Sequence, residues 1–369
     1  MNVGKDCRAP GNWVLAVALS AAMLGASPAD AAHRRGKKDR PDTCYRFCAP
    51  RQQDEIWLVN SRRLGCPERG NLASPSLRVK RRSPDGKWLP ATPEEFFAAD
   101  PGITTSIYVH GNRVNCELAV ERGMRIYQGI TRCDCDSRPL RYVIWSWPSD
   151  ALKSRRRRIK TYVDDVNVKA HRACVDGYYL AWWLSQMHPD SDVKMIGYSY
   201  GPRVILAALD LLGGGIVHGR VLPKGPYAET LRADVFSFVA ALPCGALSPG
   251  GLNENAVLVT DTLINLYNPI DPAMQFYPRF VRSDRGEALG RTGVPKNACL
   301  NYRNVNTSCI IGKRHQFKEY AGSCYVMGLL REMVFDDCGS HATALLDHEP
   351  IEVAVLANVN SYEQSGESN

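Results

Sequence analysis

From Thr104 onward the chain alternates short apolar runs with stretches long enough for helices, and this rhythm restricts it to few architectures. Residues 104–109 are β-branched and aromatic and end at His110-Gly111. Val120, Met124 and Tyr127 then fall on one face of a predicted helix, and residues 142–145 predict a second strand, closed by Pro148. The clearest period follows. Val163, Val166, Ala170, Ala173, Gly177, Leu180, Leu184 and Met187 recur at steps of three and four, a continuous stripe for packing on a sheet, stopped by His188-Pro189. Residues 193–196 predict a strand and 204–212 a helix; 235–239, 263–267 and 305–311 predict further strands, with a last helix over about 316–335. Upstream, 56–59 and 77–81 read as strands. Parallel strands need crossovers of a dozen or more residues, usually helical. The pattern therefore implies an α/β fold with a mostly parallel central sheet and helices on both faces. Ligands of such sheets bind beyond the carboxyl ends of the strands.

Two motifs stand at such ends. Gly197-Tyr198-Ser199-Tyr200-Gly201 has the form G-x-S-x-G, between a predicted strand and a predicted helix. A serine hydroxyl needs a base to take its proton and a turn that exposes it. A sharp strand-to-helix turn exposes it, and Gly197 and Gly201 allow the close packing that the turn requires. The second motif is His110-Gly111-Asn112, which ends an earlier strand.

Together these residues resemble the α/β-hydrolase family, over roughly residues 54–336. The resemblance implies that Ser199 is a nucleophile and that the backbone N–H groups of Asn112 and Tyr200 form an oxyanion hole. It also implies that His110 is structural and is not the base. An acid is expected just past a late strand, where Asp271 lies, with Asp261 in reserve. The base is expected after the final strand. His315 holds that position, and His341 and His348 are the alternatives, because they follow the last helix instead of preceding it. The order Ser199, Asp271, His315 is that of α/β-hydrolases. About thirty residues separate Asp271 from the last predicted strand, long enough for a flap beside the site. No inserted cap is expected after residue 242, so the fold should carry little or no cap domain.

The flanking segments set the expected organisation. Lys5 and Arg8, an apolar run over 13–24 and Ala29-Asp30-Ala31 have the form of a signal peptide spanning 1–32, cleaved near Ala31. The run is too short for a membrane span, although retention as an anchor stays open. Residues 33–53 read as a basic, flexible lead-in, 54–336 as the hydrolase domain and 337–369 as a C-terminal extension. The mature chain is thus expected to be secreted or periplasmic. Thirteen cysteines are present, and Cys7 falls in the leader. An even remainder behind an export signal predicts disulfides. Cys44 with Cys48 and Cys133 with Cys135 do not complete a metal-ligand set, so no metal is expected, and no organic cofactor.

The formal charge is +8, concentrated in residues 33–51 and in Arg155 to Arg158. No nucleic-acid motif accompanies these runs, so nucleic acid is not an expected partner. Weak electrostatic association with an anionic envelope or membrane surface fits them better. Trp145, Trp147, Trp182 and Trp183 are expected to pack internally, and Glu94-Glu95 to form a helix first turn. The expected function is cleavage of esters, small or lipid-like, through an acyl-enzyme. Carboxylesterase or lipase chemistry comes first, and peptidase, thioesterase and acyltransferase chemistry use the same machinery. The alternative is a catalytically silent hydrolase fold that binds an anionic envelope polymer through its basic segment.

Overall fold

The computed structural model describes residues 50–65, 75–132, 138–152, 162–222, 231–284, 286–335 and 353–354. The expected leader, most of the lead-in, the Arg155 to Arg158 run, His341 and His348 lie outside them.

Ten strands form one sheet: β1 (Glu55–Asn60), β2 (Arg78–Arg82), β3 (Trp88–Ala91), β4 (Thr104–Val109), β5 (Leu140–Ser146), β6 (Val193–Tyr198), β7 (Ala233–Phe238), β8 (Thr260–Tyr267), β9 (Tyr302–Asn306) and β10 (Val353–Ala354). Their spatial order is β10-β9-β8-β7-β6-β4-β5-β1-β2-β3. The seven strands from β9 to β1 pair in parallel, while β2, β3 and β10 are antiparallel additions at the edges. The expected α/β class and mostly parallel sheet are observed.

The helices are α1 (Pro93–Phe97), α2 (Cys116–Thr131), α3 (Tyr162–Ser185), α4 (Gly201–Leu212), α5 (Pro272–Phe280), α6 (Leu289–Thr292), α7 (Ser308–Ile311), α8 (Phe317–Gly322) and α9 (Cys324–Phe335). Alternation along β5 shows how both faces are covered. Ile144 meets Gly123 of α2, whereas its neighbour Trp145 turns to the other face and donates its ring N–H to Asp176 of α3 at 2.7 Å. Strands buried on both faces read as continuous apolar runs, as residues 142–145 of β5 do. Burying one aliphatic side chain such as Ile144 contributes roughly 1.5–3 kcal/mol.

Several expected boundaries shift. The run 305–311 divides into the end of β9 and the short helix α7, because an apolar run of this length fits either structure. The last helix breaks at Ser323 into α8 and α9. On α2 the buried stripe is Ala119, Gly123, Ile126, Tyr127 and Ile130, with Val120 and Met124 on its flank. Between β7 and β8 only two 3-10 turns occur, Cys244–Leu247 and Glu254–Leu258, and no cap is inserted there. Trp145, Trp147 and Trp183 are fully buried, and Trp182 packs on Phe97. Glu95 completes a capping box with Thr92 at the start of α1.

The expected disulfides are not found between described residues. Cys116, Cys174, Cys244, Cys299 and Cys309 are thiols. Cys174 instead lies buried with its sulfur 3.8 Å from the Arg203 guanidinium.

Candidate active site

β6 delivers Tyr198 to the carboxyl edge of the sheet, and the chain turns at Ser199 into α4. Ser199 has φ +56°, in the left-handed region that costs a non-glycine residue energy unless its surroundings enforce it. Here they do. The Ser199 N–H donates to the Phe238 carbonyl at 2.9 Å, and its own carbonyl accepts from Ala241 at 2.8 Å. The flanking glycines are required by contact. A Cβ on Gly197 would lie 2.6 Å from the Pro202 nitrogen, and one on Gly201 would lie 2.1 Å from the Val109 carbonyl oxygen.

Asp271 follows β8 and is the N-cap of α5. One carboxylate oxygen accepts the N–H groups of Ala273 at 2.8 Å and Met274 at 3.4 Å. The other lies 2.6 Å from His315 Nδ1. A carboxylate can only accept, so Nδ1 carries the proton and Nε2 is left as an acceptor. That Nε2 lies 3.1 Å from Ser199 Oγ, within nucleophile-to-base reach. The structure therefore brings together the three side chains that the sequence singled out. Asp271 is fully buried, and Ser199 and His315 keep only 6% and 7% of their surface. The hydroxyl of Tyr198 also donates to the His315 carbonyl, tying down the backbone at His315. Asp261, the reserve acid, is exposed on β8 beside Arg232.

His110 is buried behind the Asn112 turn and stacks on Trp147 with ring centroids 5.7 Å apart. Its Nε2 faces Arg62 at 3.1 Å and the Trp147 N–H at 3.2 Å, and its Nδ1 donates to the Gly111 carbonyl at 2.9 Å. Burial, and then the Arg62 charge, push its pKa well below the usual histidine range. It is neutral with both nitrogens engaged, which suits a structural role. Asn112 folds its side-chain oxygen back onto the Arg113 N–H at 2.8 Å. Asn112 and Tyr200 both line the cleft beside Ser199.

The cleft holds about 590 Å³ of atom-free space, open solvent included. The stretch after Asp271, expected as a flap, does border it, in the form of α5 and the turn beyond. Met274, Tyr277, Phe280 and Val281 supply that wall. Arg203, in the first turn of α4, holds the wall in place by donating to the Tyr277 hydroxyl and the Asp284 carboxylate. Sequence reasoning did not single out Arg203. Its signal was a cation within the otherwise apolar start of α4, which needs a carboxylate if the helix is buried. Arg122 of α2 also lines the cleft and carried no motif.

No protein-family model matches the chain, and no curated protein does. Among solved structures it is similar to the poly(3-hydroxybutyrate) depolymerase LpqC from Bordetella parapertussis, at 12% identity and a TM-score of 0.29, covering 67% of this chain and 85% of that one.

Proposed function

We propose that this chain is a serine hydrolase of ester bonds, with Ser199 as nucleophile, His315 as base and Asp271 as the acid that orients it. The observation that carries the reading is the continuous relay from Ser199 Oγ to His315 Nε2 at 3.1 Å and from His315 Nδ1 to Asp271 at 2.6 Å. Ser199 Oγ attacks the acyl carbon while its proton passes to Nε2. The carbonyl oxygen becomes an oxyanion held by the backbone N–H groups of Asn112 and Tyr200, and fixed donors of this kind are commonly worth about 3 kcal/mol each. His315 returns the proton to the departing alkoxide, leaving an acyl-enzyme. Water then repeats the sequence and releases the acid. Asp271 keeps its charge and stabilises the imidazolium that forms. Buried apolar side chains on the α5 wall favour carboxylester or lipid-like acyl groups. Export after cleavage near Ala31 belongs to the same proposal, on the leader pattern alone.

A fluorophosphonate probe tests the assignment. Labelling of the wild type that disappears in Ser199→Ala, together with release of p-nitrophenol from p-nitrophenyl butyrate, is the expected result. An unlabelled, inactive wild type would overturn it in favour of a silent fold that binds through its basic segment.

A further inference from the structure

The cleft has two chemically different walls. On one face of the sheet, α3, α5 and the residue after α5 contribute the apolar Val166, Met274, Phe280 and Val281, together with Tyr277, whose hydroxyl is tied to Arg203. On the other face, α2 and α8 contribute Arg122 and Phe317. Ser199 and His315 lie between them.

Arg122 is set up differently from three other arginines around the site. Arg62, Arg113 and Arg203 are each paired with a carboxylate, namely Asp150, Asp165 and Asp284. Half-buried Arg122 pairs with no carboxylate among the described residues, and no described carboxylate lines the cleft. Its guanidinium carbon lies 5.1 Å from the centre of the Phe317 ring. Such stacking occupies a face of the guanidinium and leaves its N–H edges available as a planar fork, which suits a carboxylate or a phosphate. The charge is felt at His110 and at Tyr198, the residue before Ser199.

We infer that the site takes esters that carry an anionic group, carboxylate or phosphate, held by Arg122 while the apolar part of the substrate packs on the α3 and α5 wall. This inference rests on the hydrolase reading. An anion gains charge-assisted hydrogen bonds from the fork. A neutral ester would cover Arg122 without replacing its water, so discrimination works from both directions.

Two matched pairs of esters test it. Mono-p-nitrophenyl glutarate against p-nitrophenyl butyrate places the anion on the acyl side, and 4-acetoxyphenyl phosphate against phenyl acetate places it on the leaving group. For at least one pair the wild type should favour the anionic member by about tenfold in kcat/KM, a preference that shrinks as salt rises. Arg122→Gln should cut that ratio about tenfold, and Arg122→Lys should keep part of it. Fluorophosphonate labelling of Ser199 in each variant shows that the site is still assembled. Ratios near one in the wild type for both pairs, or a ratio that Arg122→Gln leaves unchanged, would overturn the inference while labelling leaves the hydrolase reading intact. A wild type that neither labels nor hydrolyses any of the four esters would overturn both.

Discussion

Arg203 donates to both the Tyr277 hydroxyl and the Asp284 carboxylate, joining the helix that follows the Ser199 turn to the segment that walls the cleft. Both ends of the pair are almost fully buried. Removing one partner of such a pair costs about 3 kcal/mol or more, because the other charge is left without compensation. Asp284→Asn should therefore lower the urea midpoint markedly and raise KM for esters more than it lowers kcat, as the wall slackens. Equilibrium melts and steady-state kinetics on the same preparation check this, and an unchanged midpoint would count against the clamp.

Asp271 has two duties that different substitutions separate. It caps α5 through one oxygen and orients His315 through the other. Asn is a good N-cap, so Asp271→Asn should hold stability near the wild-type value while kcat falls on the order of 10³–10⁴-fold. Asp271→Ala should lose the same activity and about 1 kcal/mol of stability besides. Thermal melts alongside ester hydrolysis distinguish the two.

The base assignment is open to direct test as well. His315→Ala should reduce kcat by on the order of 10³-fold or more. His341→Ala should leave it within about twofold. The reverse result would move the base to His341 and leave the nucleophile in place.

Asp176 gives the fold a pH dependence away from the site. Burial, against the hydrogen bonds from Ser61 and Trp145, pushes its pKa up to about 6 from an ordinary 3.8. The folded state then binds this proton more tightly than the unfolded chain. The stabilisation is complete below the unfolded value and is lost as pH rises from about 4 to about 6. Asp176→Asn keeps an acceptor for Trp145 and should flatten the slope of stability against pH over that window. Melts at pH 4, 5, 6 and 7, as approximate settings, read it out.

The parts of this molecule legible from sequence are those determined by near neighbours. β4 has the expected limits because β-branched and aromatic residues, interrupted only by Ser106, run to His110-Gly111. The Ser199 turn was legible because its glycines are required by contacts that any strand-to-helix turn of this tightness makes. Asp271-Pro272 carried the signature of a helix start, an acidic N-cap followed by proline, and that is how α5 begins. The stretch beyond it was nevertheless read as a long flap, because its one amphipathic helix is short and interrupted by Pro278. Arg122 and Arg203 were missed for a different reason. Their importance lies in partners distant in the chain, Phe317 and Asp284, and no local pattern identifies those partners.

The link between Tyr198 and the His315 carbonyl has a consequence for how the site waits for substrate. Tyr198 is covalently next to Ser199, and Ser199 faces the His315 ring, so Ser199 and His315 belong to a closed loop of contacts. A base secured through both its backbone and its ring has few other places to go. The ordering cost of bringing Ser199 and His315 together is thus met when the chain folds, and on the proposed function it would not fall on each turnover.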